Sequence, residues 1–377
     1  MSIKKTVAIL AAAGALSAVA LPALADTSLY GVAKISTFYN VSMIPDNGAV
    51  SGGTSAGVDE HLMVTSNFGA NYTNGNVGGK FEIGANMGLR LLYGTYNFGS
   101  GTLIIGQDYN SYYFRSAQTA FDDAGQNGYG ALWDGRQAQI KVKFTNGFYA
   151  AAIAPSVADT VTIASNAPTY GTNATGTAIG DAGGVIVNHE KADSIQVYLP
   201  KVNVGYAGKA GILSYNIGVV GQTFKYVPST ANKSSNSTVT SVMGYTSATA
   251  DLGATKLSYN LSIAQNAGNM GLMGRQSAKI LANGNAQDSI GFEGFGQISQ
   301  KISDTATFNA GFGYATDKTP GDTYSDDKML FFVNAPITLA KNVTVTPEFD
   351  YVDDLKASDG TTQSKGYLVG AKWQIAF

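Results

Sequence analysis

From Thr27 onward the chain alternates apolar and polar positions every second residue, the period of a strand whose successive side chains point to opposite faces. Leu257, Tyr259, Leu261 and Ile263 oppose Lys256, Ser258, Asn260 and Ser262. Phe308, Ala310, Phe312 and Tyr314 oppose Thr307, Asn309, Gly311 and Gly313. The same alternation runs through Val77 to Met87, Ile140 to Phe144 and Val343 to Tyr351. In a soluble sandwich the polar parity would meet water and be rich in charge. Here it is mostly Gly, Ser, Thr, Asn and Gln with scattered Lys, and the apolar parity of these segments carries no charge. The pattern predicts an all-β chain, a transmembrane antiparallel β-barrel. Lysine or arginine on the lipid face would cost about 2–4 kcal/mol at the midplane, and closure leaves no strand edge unpaired in hydrocarbon. A secreted sandwich or solenoid is the competing reading. The solenoid is disfavoured because no sequence period of about 20–50 residues is visible.

Sixteen candidate strands follow: 28–39, 62–72, 77–87, 88–98, 102–109, 136–145, 148–155, 199–208, 211–226, 240–251, 255–266, 288–301, 305–316, 328–339, 342–352 and 366–377. Each strand with its connection takes about 22 residues, and a crossing needs about 9–11 of them. Turn signals at Asn74-Gly75, Gly99-Ser100-Gly101, Asn146-Gly147 and Ala340-Lys341-Asn342 mark tight joins. Residues 40–61, 110–135, 156–192, 227–239, 269–287, 317–327 and 353–365 read as long loops. Ile195, Val197 and Leu199 take one parity and Val202, Val204 and Tyr206 the other, so a bulge or boundary is expected at Pro200.

Composition narrows the classes. Only 13% of the 377 residues are charged, about half of the usual 25%. A formal charge of −2 leaves no basic footprint for nucleic acid. With no Cys there is no disulfide framework, thiolate metal site or cysteine nucleophile. Residues 1–25 differ from the rest: Lys4 and Lys5, an apolar stretch from Thr6 to Leu21, and Ala23-Leu24-Ala25 as a cleavage site. The expected organisation is a secretory signal peptide over 1–25, removed after Ala25, and a barrel over 26–377.

The last segment is the most specific. Tyr367, Val369, Ala371, Trp373, Ile375 and Phe377 share a parity, and the final residue is that Phe. An alternating strand ending in Trp373, Ile375 and Phe377 resembles the insertion signal of outer-membrane barrel proteins. With Ser28-Leu29-Tyr30-Gly31-Val32 and the stretch Phe98 to Tyr109, FGSGTLIIGQDY, the chain resembles the Gram-negative general porins. The resemblance implies sixteen strands, a third loop folded into the lumen, a homotrimer, and passive diffusion of small hydrophilic solutes and ions. It also implies residence in the outer membrane, contact with lipid and lipopolysaccharide, and insertion by the barrel assembly machinery. Two departures stand out: Gln107 replaces the constriction arginine of many members, and the third loop lacks a P-E-F-G-G-type motif.

On that resemblance the loop at 110–135 narrows the barrel. Its constriction residues are Gln107, Asp108, Arg115, Asp122, Asp123 and Asp134, facing wall residues Lys34, Lys80, Glu82, Arg90, Lys141 and Lys143. Opposite charges across a water-filled eyelet select solutes by size and charge. In this set acids and bases nearly cancel, which predicts weak ion selectivity of either sign. Tyr109, Tyr112, Tyr113, Phe114 and Phe121 suggest an alternative, a substrate-specific channel with an aromatic slide for sugars or aromatic compounds. A barrel enzyme or a plugged structural barrel is a further alternative, but the two histidines, His61 and His189, belong to no visible nucleophile or metal set. Asp123, Asn127, Gly128 and Asp134 match a calcium loop only in part, since Gly125 breaks the third position. Asp322, Asp326 and Asp327 read as a solvated acidic loop. No enzyme activity, cofactor, metal or nucleic-acid partner is expected.

Overall fold

The computed structural model describes residues 26–45, 52–157, 160–164, 171–172, 178–179, 187–191, 194–227, 236–281 and 285–377. The expected signal peptide lies outside them. Sixteen strands form one ring. They begin with β1 (Asp26–Ile44), β2 (Gly53–Leu62, then Asn67–Asn74), β3 (Val77–Gly84) and β4 (Leu89–Asn97). Next come β5 (Gly101–Tyr109), β6 (Arg136–Phe144), β7 (Phe148–Ile153) and β8 (Ser194–Gln196, then Lys201–Ala210). The second half holds β9 (Leu213–Val227), β10 (Ser237–Asp251), β11 (Thr255–Gln265) and β12 (Ile290–Lys301). It ends with β13 (Thr307–Lys318), β14 (Asp326–Asn334, then Ile337–Ala340), β15 (Val343–Asp353) and β16 (Lys365–Ala376). Each pairs antiparallel with the next, and β16 returns to β1 with Trp373 opposite Ile35 and Ala376 opposite Val32. The closure is tight at its seam: the backbones of Gly31 and Phe377 exchange hydrogen bonds of 2.8 and 2.9 Å, and the Phe377 ring occupies the space that a Cβ on Gly31 would need.

The alternation read from the sequence sorts the two faces. Leu257, Leu261, Phe312, Phe331 and Val369 point outward and are exposed, whereas Asn260, Glu293, Asn309, Glu348 and Lys372 point inward and are buried. An apolar outside and a polar inside is the inverse of a soluble protein, and it is the pattern that hydrocarbon demands.

Four strands depart from a simple run of the expected length. Residues 40–61 are not a loop throughout, because β1 runs to Ile44 and pairs with Gly53–Leu62. That piece is exposed along nearly its whole length, so its pairing rests on backbone hydrogen bonds and leaves no apolar alternation to read. β2 breaks at Met63–Ser66, where Met63 and Ser66 turn inward on Lys34. β8 is interrupted between Gln196 and Lys201, where the parity change foreshadowed it, and β14 is interrupted at Ala335-Pro336. Pro lacks the N–H that a continuous ladder requires.

Candidate functional site

The connection between β5 and β6, residues 110–135, is anchored to inward-facing side chains of distant strands. Glu348 on β15 accepts hydrogen bonds from the N–H groups of Thr119 and Ala120 and from the Thr119 hydroxyl, at 2.6–2.9 Å. Gln118 donates to Asp350 two residues further along β15. The Ala117 N–H meets Gln297 of β12, and Asn334 of β14 donates to the Ala117 carbonyl. These bonds replace water for backbone groups that no secondary structure satisfies. They lead into a single helical turn, Ala120–Asp123, in which Phe121, Asp122 and Asp123 all have positive φ. Such a backbone needs outside support, and the two aspartates supply it. Asp122 accepts from the Val64 N–H at 2.7 Å and lies 3.3 Å from His61 Nε2. Asp123 meets Lys34 of β1 at 2.6 Å, Lys372 of β16 at 2.7 Å and Arg115 at 3.0 Å. Burial opposes the Asp123 charge, but Lys372, Lys34 and Arg115 outweigh it and hold its carboxyl at about 2.

The second half of this third loop rests on another, the sixth, residues 266–289 between β11 and β12. Tyr112 and Leu132 of the third loop, Ala267, Met270 and Leu272 of the sixth, and Val220, Met243, Tyr245 and Ala264 of the wall form one apolar cluster. The two backbones meet at Gly128 and Gly274, both at positive φ, where a Cβ on Gly128 would strike the Met273 carbonyl of the sixth loop and one on Gly274 would crowd Gly128. The Met273 N–H donates to the Trp133 carbonyl at 2.8 Å. Buried ion pairs hold the assembly to the wall. Lys201 of β8 bonds Asp134 at 2.6 Å, and Asp134 also accepts from Asn110 and Tyr112, so both ends of the third loop share one carboxylate. Arg275 of the sixth loop bonds Glu293 of β12 and Asp317 of β13, each at 2.8 Å, and all three side chains are at most 4% exposed.

Between the third loop and the strands that precede it lies a cavity of about 280 Å³. Val64, Thr65, Asn86, Leu89 and Arg90 form its wall, and Arg115, Asp122, Asp123 and Asn127 its loop side. Tyr109, Tyr113, Trp133 and Arg136 line it where the loop leaves and rejoins the barrel. Tyr109 and Tyr113 stack at 5.0 Å, with Trp133 set at an angle to both. Arg136 lies over the rings of Tyr109 and Trp133, at 4.9 and 5.3 Å. Arg90 is held by Glu82 at 2.6 Å and touches the Tyr109 hydroxyl. Among the lining residues, therefore, Arg90, Arg115 and Arg136 face Asp122 and Asp123, with Lys34 and Lys372 behind Asp123 and Glu82 behind Arg90.

No known protein family matches the chain, and no curated protein matches it. Solved structures do. The outer membrane channel DcaP of Acinetobacter baumannii superposes with a TM-score of 0.69 at 17% identity, over 95% of this chain and 99% of that one. An anion-selective porin from Comamonas acidovorans gives 0.52 at 12% identity, over 94% and 100%. OmpF of Salmonella typhi, solved in complex with daunomycin, also gives 0.52 at 12%, over 93% and 97%. The fold is that of an outer-membrane porin. At 12–17% identity the likeness is one of backbone architecture.

Within that porin barrel the sequence-derived site residues divide. Arg90, Arg115, Asp122 and Asp123 line the cavity, and Lys34 reaches it through Asp123. Glu82 stands behind Arg90 and also accepts from Tyr30. Lys141 and Asp108 pair at 3.2 Å. Lys80 lies over the Tyr30 ring at 5.0 Å, Lys143 is exposed, and Asp134 is engaged by Lys201; none of the three lines the cavity. Gln107 is a correction. It is in register with Leu92 and Ala138, on the outward parity, and its amide donates to the carbonyls of Leu89 and Arg90. Leu103, Ile105 and Gln107 share that parity in the sequence, so alternation itself argues against the position that the resemblance suggested. Of the aromatic residues, Tyr109 and Tyr113 line the cavity, Tyr112 is in the apolar cluster and Phe114 packs on Phe295. Trp373, Ile375 and Phe377 point outward on the closing strand. Sequence reasoning missed Arg136, Trp133, Lys372, Lys201 and Glu348. Lys372 and Glu348 sit on the inward parity of their strands and were within reach of it; the others depend on how the loops fold.

Proposed function

We propose that this chain is an outer-membrane diffusion channel for small hydrophilic solutes and ions. The observation that carries the reading is the charged cavity between the third loop and the β2–β4 wall, inside a ring with an apolar outer face and a polar inner one. The third loop then acts as the constriction inside the lumen, setting the size cutoff, and the water-lined path past it replaces part of a solute's hydration. No covalent chemistry is involved. Because arginines and lysines outnumber carboxylates around the cavity, the local potential favours anions. By the same reading the chain is exported and cleaved after Ala25, inserted by the barrel assembly machinery with Trp373, Ile375 and Phe377 as signal, and assembled as a homotrimer among lipid and lipopolysaccharide.

The deciding experiment is single-channel recording of the refolded protein, residues 26–377, in a planar bilayer with reversal potential under a salt gradient. The reading expects stable steps, in groups of three for a trimer, and a reversal potential of anionic sign. A folded barrel without conductance would overturn it. Substrate-specific uptake is a second reading, favoured by the aromatic residues Tyr109, Tyr113 and Trp133. A saturable flux supports it and a linear one supports the general pore.

A further inference from the structure

The side chain of Arg136 is out of keeping with the other cations near the cavity. Lys34, Arg90, Arg115, Lys141, Lys201 and Lys372 are each bonded to a carboxylate. Arg136 is in no ion pair among the described residues, and its Nε is buried without a hydrogen-bond partner. Its guanidinium lies instead over the rings of Tyr109 and Trp133, at 4.9 and 5.3 Å from their centroids. A guanidinium fixed by aromatic contacts keeps its N–H groups free, and its planar fork matches a carboxylate. Beside it are the apolar faces of Tyr109, Tyr113 and Trp133, and the Tyr109 hydroxyl already carries a second guanidinium, that of Arg90. A cavity of about 280 Å³ holds a single-ring molecule with room for water.

We propose that this corner of the cavity is a binding site for small carboxylates carrying a planar apolar body, the carboxylate on Arg136 and the body against Tyr113 and Trp133. The proposal deepens the channel reading, because such a solute is retained in the constriction during passage. Its chemistry separates three classes. A bare anion such as acetate gains the guanidinium without the rings, a neutral aromatic gains the rings without the charge, and benzoate gains both. The Trp133 backbone is held by the Met273 N–H and its ring packs against Tyr109, Tyr113 and Arg136, so the rings are in place before the solute arrives and little ordering cost is incurred on binding.

The chain has two tryptophans, Trp133 and Trp373, so in a Trp373→Phe background Trp133 reports on the site. Benzoate titrated into the refolded barrel should quench this fluorescence saturably, while acetate and benzyl alcohol at the same concentrations should not. Arg136→Met, which keeps the stem and removes the charge, should weaken benzoate binding at least tenfold. Lys301→Gln, at an exposed turn far from the site, should leave it unchanged. A quench without saturation, an equal response to benzyl alcohol, or an unchanged midpoint in a folded Arg136→Met barrel would each overturn the site. Benzoate binding with no conductance in a bilayer would retain the site and overturn the channel instead.

Discussion

The inner wall of this barrel has two sides that the same alternation built and that end in opposite states. On the β1–β4 side, polar and charged residues face a cavity, and their partners are held at its edge. On the β8–β13 side, the same parity is covered by the third and sixth loops, and Lys201, Asn203, Asn260 and Glu293 have at most 1% of their surface exposed. An apolar cluster joins the two loops to this wall. An inward parity thus guarantees polar residues, and the loops decide which of them meet solvent. The difference is electrostatic as well as steric. A charge beside the cavity is hydrated and can act on a solute, whereas a charge under the loops must be matched by a partner or pay desolvation.

The largest effect should come from breaking the covered side. Arg275→Met leaves Glu293 and Asp317 buried without their cation, and removing one partner of a buried pair costs about 3–5 kcal/mol. Urea titration of the refolded barrel should show that loss. Replacing all three, Arg275→Met with Glu293→Gln and Asp317→Asn, should recover most of it, because the buried charges then vanish together. If the single and triple variants were equally unstable, the ion cluster would not be what fixes the sixth loop.

Next in size is the join between the two sides. Glu348→Ala removes the acceptor for Thr119 and Ala120, where hydrogen bonds to a charged group are worth about 1.5–3 kcal/mol each. The segment leading to Asp122 and Asp123 then loses its hold on β15, and single-channel conductance should rise with larger current noise. Glu348→Gln, which keeps an acceptor oxygen, should fall between. Unchanged conductance in the alanine variant would mean that the Asp123 ion pairs suffice to place the loop.

A smaller effect is expected from acid. The Asp123 carboxyl is held at about 2, below its ordinary value of about 3.9. Its grip on Lys34, Lys372 and Arg115 is therefore complete above about pH 4 and is lost as pH falls through about 2. As far as this group sets it, conductance should stay level from pH 7 to 4 and change only below about pH 3. Asp123→Asn should show the low-pH behaviour at neutral pH. A transition near pH 5 that survives Asp123→Asn would place the control in another group.

How much of this could be read from the chain depends on which physical constraint acts on each residue. Lipid permits few alternatives on an outward face, so Leu257 to Ile263 and Phe308 to Phe312 declared their strands, and all sixteen candidate segments overlap strands of the ring. The Gly53–Leu62 piece lacks that constraint and was invisible. Within the site, Lys34 and Asp123 were legible as charges of opposite sign on wall and loop, but not that three cations converge on one carboxylate. Arg136 has no alternation to mark it; it stands at the first position of β6, and only the fold of the preceding loop sets Trp133 beneath it. The sixth loop carries no alternation that marks its role, and the partners of its Arg275 lie 18 and 42 residues further along the chain.

The least effect should come from the exposed lysine of β6, between the two sides, and it sharpens the comparison most. Lys143 follows Lys141 by two residues on β6, yet Lys141 is buried against Asp108 and Lys143 is exposed, with no hydrogen bond or ion pair among the described residues. A solvated charge acts on passing ions only through the field, and that field is screened over about 10 Å at 0.1 M salt. Lys143→Gln should therefore shift the reversal potential slightly toward cations in dilute salt and not at all in 1 M, with stability unchanged. Lys141→Gln should instead free Asp108 and lower stability at either salt concentration. Equal, salt-independent effects of the two substitutions would mean that Lys143 is held as closely as Lys141.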